Sequence, residues 1–115
     1  MDSFEAEQWV ARQLQKKGCD ILRLNYRCIG AEIDILALAK STLLVVEVKL
    51  RKQKPRYQED FIRLLPVKKR KCLRRGVEHF ITNHKIDFKT IRFDLAIVVA
   101  RQHNLQLDLF YFYDL

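Results

Sequence analysis

A chain of 115 residues, 49% hydrophobic with three Gly and two Pro, is long enough for one core and too apolar to stay disordered. No stretch is apolar over enough length to span a bilayer, and the opening MDSFEAEQWVARQ lacks the basic start and apolar middle of a signal peptide. The formal charge is +8, and more than half of the 22 Lys and Arg residues fall within 49–76, a field that recruits polyanions, nucleic acid before anionic membrane.

The spacing of Phe4, Glu7, Ala11 and Leu14 predicts an amphipathic helix over 3–17, capped by Asp2 or Ser3 and ended by Gly18. CDILRLNYR (19–27) alternates as a strand and leads into a turn at Cys28-Ile29-Gly30. Residues 31–39 and 43–50 form a β-hairpin joined by Lys40-Ser41-Thr42, and the charged, aperiodic 51–60 is a mobile loop. Pro66 suits the first turn of a second helix over about 65–83, with Leu73, Val77 and Phe80 on its inner stripe. TIRFDLAIVVA (90–100) is a buried strand, and the alternating 105–115 closes the sheet at an edge. The expected fold is a single α/β (α+β) domain, a mixed sheet flanked by helices in the order α-β-β-β-α-β-β.

Charges interrupt the apolar stripes. On the hairpin, Glu47 and Lys49 share one face of their strand, about 6.5–7 Å apart at the backbone. A tight turn near Lys40-Ser41 puts Asp34 opposite Glu47, on a face with Glu32, Leu36 and Leu38. Like charges so placed repel unless a cation lies between them, and the cation is either a metal ion or Lys49. Glu7 takes an inner position on the first helix and Lys69 one on the second, so both are expected to point into the same layer. Paired carboxylates suit a hard cation, Mg²⁺ or Mn²⁺, and a neighbouring lysine can orient water and steady charge on a phosphate. Plainer readings stand beside this one: a solvated edge face for Glu47 and Lys49, a simple Asp34–Lys49 pair, a first-turn acid for Glu7, and a snorkelling stem for Lys69.

Asp34, then Glu47-Val48-Lys49 at the end of an apolar strand, resembles the PD-(D/E)XK nuclease core. The blocks AEQWVARQLQKKGCDILRLNYR, GAEIDILAL, LLVVEVKLR, the later Lys69 and IRFDLAIVV follow the order of the YraN family of small bacterial proteins. That family has a restriction-endonuclease-like fold similar to archaeal Holliday-junction resolvases. The resemblance implies that Asp34, Glu47 and the Val48 carbonyl hold Mg²⁺ or Mn²⁺, that Lys49 is the catalytic lysine, and that Glu7 assists through water. Asn25, Arg27, Lys69, Arg92 and Asp94 match further family positions to which no role is attached. Ala6 and Ala31 stand where the family pattern has Gly.

The function expected is metal-dependent endonuclease action on DNA, branched or nicked, and the alternative is a nucleic-acid-binding module that kept the fold without turnover. Flanking phosphates fall to Lys68, Lys69, Arg70, Lys71, Arg74 and Arg75, and to Arg51, Lys52, Lys54 and Arg56. Tyr57 or Phe61 is available to stack on a base. The aromatic strand LFYFYDL could serve a partner protein or a homodimer matched to two-fold DNA. His79, His84 and His103 lack metal-ligand spacing, and Cys72 lacks an ordered His partner for thiol chemistry. Cys19, Cys28 and Cys72 form no CxxC pair, which fits a reduced cytoplasmic setting. No Gly-rich phosphate loop indicates ATP.

Overall fold

The computed structural model describes residues 1–53, 63–102 and 104–112, with 110–112 described by their backbone alone. Helix α1 (Ser3–Lys16) begins with a capping box. The Asp2 carboxylate accepts from the Glu5 N–H at 2.8 Å, and the Glu5 side chain accepts from the Asp2 N–H at 3.2 Å. It ends where Gly18, at φ 94°, takes the left-handed turn that a side chain resists, and Cys19 N–H returns to the Leu14 carbonyl at 3.0 Å. Phe4 does not belong to the inner stripe. It is 58% exposed, and Ala6, Val10, Ala11 and Leu14 are the buried residues, because the buried face is centred about a quarter turn round from Phe4.

The sheet contains β1 (Asp20–Cys28), β2 (Ala31–Ala39), β3 (Thr42–Arg51), β4 (Thr90–Arg101) and β5 (Asn104–Phe112), hydrogen-bonded in that spatial order. Two-residue turns join β1 to β2 and β2 to β3, with Gly30 at φ 78° and Lys40 at φ 54°. β3 and β4 run parallel and the other pairs antiparallel. A parallel pair needs a crossover, which helix α2 (Val67–Asn83) supplies within the segment between them. The fold is therefore the mixed sheet with helices in the order α-β-β-β-α-β-β, with β5 at an edge. α2 starts two residues later than the spacing of the sequence predicts. Pro66 is its N-cap with extended ψ 163°, and so precedes the helix instead of forming its first turn.

The helices cover opposite faces of the sheet. α1 packs on Ile35, Ala37, Val46 and Val48, whereas α2 packs Leu73, Val77 and Phe80 on Ile33, Leu36 and Val45. Successive β3 residues alternate between these two cores, as pleating requires. Gly76 lets α2 come close. A Cβ there would stand 2.9 Å from Ile33 Cδ1 and 3.5 Å from the Ala31 Cβ. Cys19, Cys28 and Cys72 are free and half-buried. Among the described residues no helix is long and apolar enough to cross a membrane.

Candidate functional site

The β2–β3 ladder runs from Ala39–Thr42 to Ile35–Val46 and stops there. The next opposed pair in that register is Asp34 and Glu47. Instead of another backbone bond, the Asp34 Oδ2 accepts from the Val48 N–H at 2.8 Å. A residue in an extended strand points its N–H and C=O to the same side, so the Val48 carbonyl faces the gap as well. The β1–β2 ladder skips at the same level, between Leu24–Ile35 and Tyr26–Ile33. There Asn25 sits at φ 51°, in the left-handed region that Asn tolerates better than most residues.

Strict alternation fails at this point. Ile33 joins the α2-side core and Ile35 the α1-side core, although residues two apart in a regular strand share a face. The strand turns over at Asp34, so the expected common face for Glu32, Asp34, Leu36 and Leu38 does not persist along β2. The expected single layer for Glu7 and Lys69 is corrected too, because their helices cover opposite faces of the sheet. The two approach from opposite faces of the sheet; Asp34 is charge-coupled to Glu7 on one side and to Glu47, the partner of Lys69, on the other.

On the α1 side, the half-buried Glu7 is pushed up from 4.5 to about 7. Burial is the main cause and the Asp34 charge the next, while a hydrogen bond from the Asn25 side chain pulls it down. On the α2 side, Glu47 is 4% exposed and is likewise pushed up to about 7, by burial first and by Asp34 second. Two ammonium groups oppose that shift. Lys69 Nζ lies 3.3 Å from Oε2 and Lys49 Nζ 3.6 Å from Oε1. Both lysines keep about a third of their side chain exposed, so the pairs are open to solvent at one end. Glu47 Oε2 is buried, and although Lys69 is near, no donor is aligned with it for a hydrogen bond.

This donor set fits a hard cation in part. Among the described residues no three His, Cys, Asp or Glu side chains converge closely enough to hold an ion unaided. Mg²⁺, however, is commonly held by one or two carboxylates while keeping several waters. Asp34, Glu47 and the Val48 carbonyl are of that kind, and the buried Glu47 Oε2 has only the Lys69 ammonium, at 3.3 Å, beside it.

The other sequence-predicted residues divide by location. Lys68, Lys71, Arg74 and Arg75 are exposed on α2, Arg70 is half-buried, and Arg75 reaches the Gly30 carbonyl at 3.4 Å. Arg51 donates to the Leu50 carbonyl at 2.8 Å, and Lys52 is exposed. Lys54, Arg56, Tyr57, Phe61 and His103 lie outside the described residues. Arg27 pairs with Glu32 at 3.3 Å on the rim of a cavity that Lys69 also lines. Arg92 and Asp94 are not part of this group. They form a two-pronged ion pair at 2.8 and 2.9 Å, with Asp94 paired in register with Val46 and therefore on the α1 face. The Cys19 thiol, pushed up by burial, senses both charges, which places the pair beneath the C-terminal end of α1. His79 bonds the Tyr26 hydroxyl, and His84 stacks on Phe80. Asn25 is the member of the site whose part the sequence left open. The signal present was an Asn in the middle of an otherwise alternating strand.

The profile of the uncharacterised protein family UPF0102 matches residues 6–98. A UPF0102 protein of Caldicellulosiruptor saccharolyticus is 34% identical over 104 residues, which cover 90% of this chain and 86% of the relative. One from Desulfosudis oleivorans is 34% identical over 103 residues, covering 90% and 82%. One from Christiangramia forsetii is 28% identical over 106 residues, covering 90% and 85%.

Proposed function

The chain belongs to the UPF0102 (YraN) family, and from the site it carries we propose that it is a metal-dependent endonuclease acting on DNA. The observation that carries this reading is Glu47. It is a buried carboxylate beside a second carboxylate, with two lysine ammonium groups facing it at 3.3 and 3.6 Å. A merely structural acid would be better served by an apolar replacement, since burying charge is costly.

Asp34, Glu47 and the Val48 carbonyl would hold Mg²⁺ or Mn²⁺. When bound, the ion neutralises charge on a phosphate and lowers the pKa of water. Lys49, tethered by Glu47, presents its ammonium to the solvent side, where it can orient water and steady negative charge on a phosphoryl oxygen. Glu7, with its proton affinity near neutrality, can exchange a proton with water on the other side of Asp34. The first turn of α2 holds Lys68, Lys69 and Arg70 and no acid, and its N-cap supplies no side-chain bond. Cations at a helix N-terminus oppose the helix dipole, so this turn is relieved by an approaching phosphate. Exposed Lys71, Arg74 and Arg75 continue the same positive strip.

The pairing of Glu47 with two lysines also suits a binding module without turnover. Incubating the protein with Mg²⁺ or Mn²⁺ and linear, nicked, flap and four-way DNA, beside Asp34→Asn and Lys49→Ala, separates the two. Metal-dependent cutting lost in both variants is the expected result. Tight binding with no cutting of any substrate would leave the module.

A further inference from the structure

Ile29 is 99% exposed at the tip of the β1–β2 turn. A β-branched apolar residue is a poor choice there, since turns favour Gly, Asn, Asp, Ser and Pro, and this side chain packs on nothing. Behind the tip is an open cavity of about 480 Å³, walled by Arg27, Gly30, Ala31 and Glu32 on the turn side and by Lys69 and Cys72 of α2. Its neighbours Ala31 and Cys72 offer apolar surface, and the Arg27–Glu32 pair gives a polar rim. Lys69 belongs both to this cavity and to the Glu47 site, 3.3 Å from that carboxylate. The turn is braced against α2 by the Arg75 contact to the Gly30 carbonyl and by the close approach at Gly76.

We propose that the β1–β2 turn is a base-unstacking wedge, with Ile29 entering between neighbouring bases and the cavity behind it receiving the single base displaced. This rests on the reading of the Glu47 site as a place for a DNA phosphate. Apolar side chains inserted between base steps are an established way to open a stack. The volume falls within the roughly 300–1,000 Å³ of small-ligand sites, enough to receive a displaced base. Arg27 offers a guanidinium plane and donors, and Glu32 an acceptor for an exocyclic amine. Positive charge around the cavity, from Lys69, Arg75 and Arg27, holds the backbone of the strand that carries the base. Unstacking costs least where stacking is already broken. The substrate class is therefore DNA with an interrupted stack at a nick, mismatch or branch point, in preference to continuous duplex.

The test places 2-aminopurine next to a nick or at a four-way branch and follows its fluorescence as protein is added in Ca²⁺ in place of Mg²⁺. The natural protein should raise the signal several-fold, Ile29→Leu should keep that rise, and Ile29→Ser should lose it while Kd increases by about tenfold at most. Ile29 is fully exposed, so neither variant threatens the fold. Cys72→Met, which narrows the cavity, should reduce the rise as well. Binding and metal-dependent cutting with no fluorescence rise, or a rise that Ile29→Ser leaves intact, overturns the wedge alone. Failure to bind any DNA overturns the wedge together with the reading beneath it.

Discussion

The Asp34 carboxylate takes the Val48 N–H at 2.8 Å where the β2–β3 ladder ends, so a side chain completes a hydrogen bond that a backbone carbonyl would otherwise make. That one contact fixes Asp34 against β3, turns the Val48 carbonyl into the gap, and keeps the charge of Asp34 close to Glu47. Asp34→Ala should therefore cost about 1–3 kcal/mol by leaving a buried donor unsatisfied, whereas Asp34→Asn keeps an acceptor and should cost under about 1 kcal/mol. Denaturant unfolding measures both. Both variants should lose cleavage, and Asp34→Asn should keep its affinity for DNA. An Asp34→Asn protein that still cuts at full rate removes Asp34 from the site.

Glu7 and Glu47 are each pushed from 4.5 up to about 7 in the fold. A carboxyl that binds its proton more tightly when folded stabilises the fold below its unfolded pKa, and that contribution is lost as pH rises through the folded value. Metal-free protein should lose about 3–8 °C of Tm between roughly pH 4.5 and pH 7.5. Mg²⁺ or Mn²⁺ should restore much of the loss above pH 7, because it neutralises Asp34 and Glu47, whose mutual repulsion adds to the cost of burying Glu47. Thermal melts in EDTA and in metal check this, and a Tm indifferent to metal at pH 8 counts against the ion site.

Glu47→Gln is expected to act in opposite directions on stability and on function. Without metal at pH 8 the neutral isostere avoids the burial cost and the repulsion from Asp34, and should gain about 1–2 kcal/mol. The same variant should lose the Tm response to Mg²⁺ and all cleavage. A variant that is destabilised in EDTA would mean that the two lysines outweigh burial.

Lys68 and Lys71 are exposed on α2 and serve as clean probes of phosphate contact. Replacing both with Ala should reduce the magnitude of the log K against log salt slope by about 2, near 0.9 per lost contact. Fluorescence anisotropy over a salt series reads this directly. An unchanged slope moves the DNA path away from the start of α2.

Gly76 is required by the close approach of α2 to Ile33 and Ala31. Gly76→Val should destabilise by about 2–3 kcal/mol through overpacking, despite removing a helix-weakening glycine. A neutral result in equilibrium unfolding would show that α2 can shift outward without cost.

Much of this arrangement is already written in the local sequence. Asp2 and Glu5 are three residues apart, so the capping box at the start of α1 depends on nothing beyond the chain itself. The order of strands and helices follows from periodicity and turn residues in the same way. Glu47 and Lys49 lie two apart on one strand, which puts both on the same face in any extended conformation. Lys69 falls on the stripe of Leu73 and Phe80, and turns inward with them.

Tertiary structure decided what depends on which surface covers which. Phe4 has the spacing of a core residue but is exposed, because the sheet meets α1 about a quarter turn away. Arg92 and Asp94 resemble further site residues in the sequence, but parallel pairing with β3 turns them toward α1, where they neutralise each other. The rotation of β2 at Asp34 and the left-handed Asn25 opposite it fall where the β2–β3 ladder ends and the β1–β2 ladder omits one pair. Periodicity assigns a side chain to a face only while a strand remains regular. Where the strand turns over, only the packing on both sides of the sheet determines that Glu7 and Glu47, far apart in sequence and on opposite faces, share the field of one carboxylate.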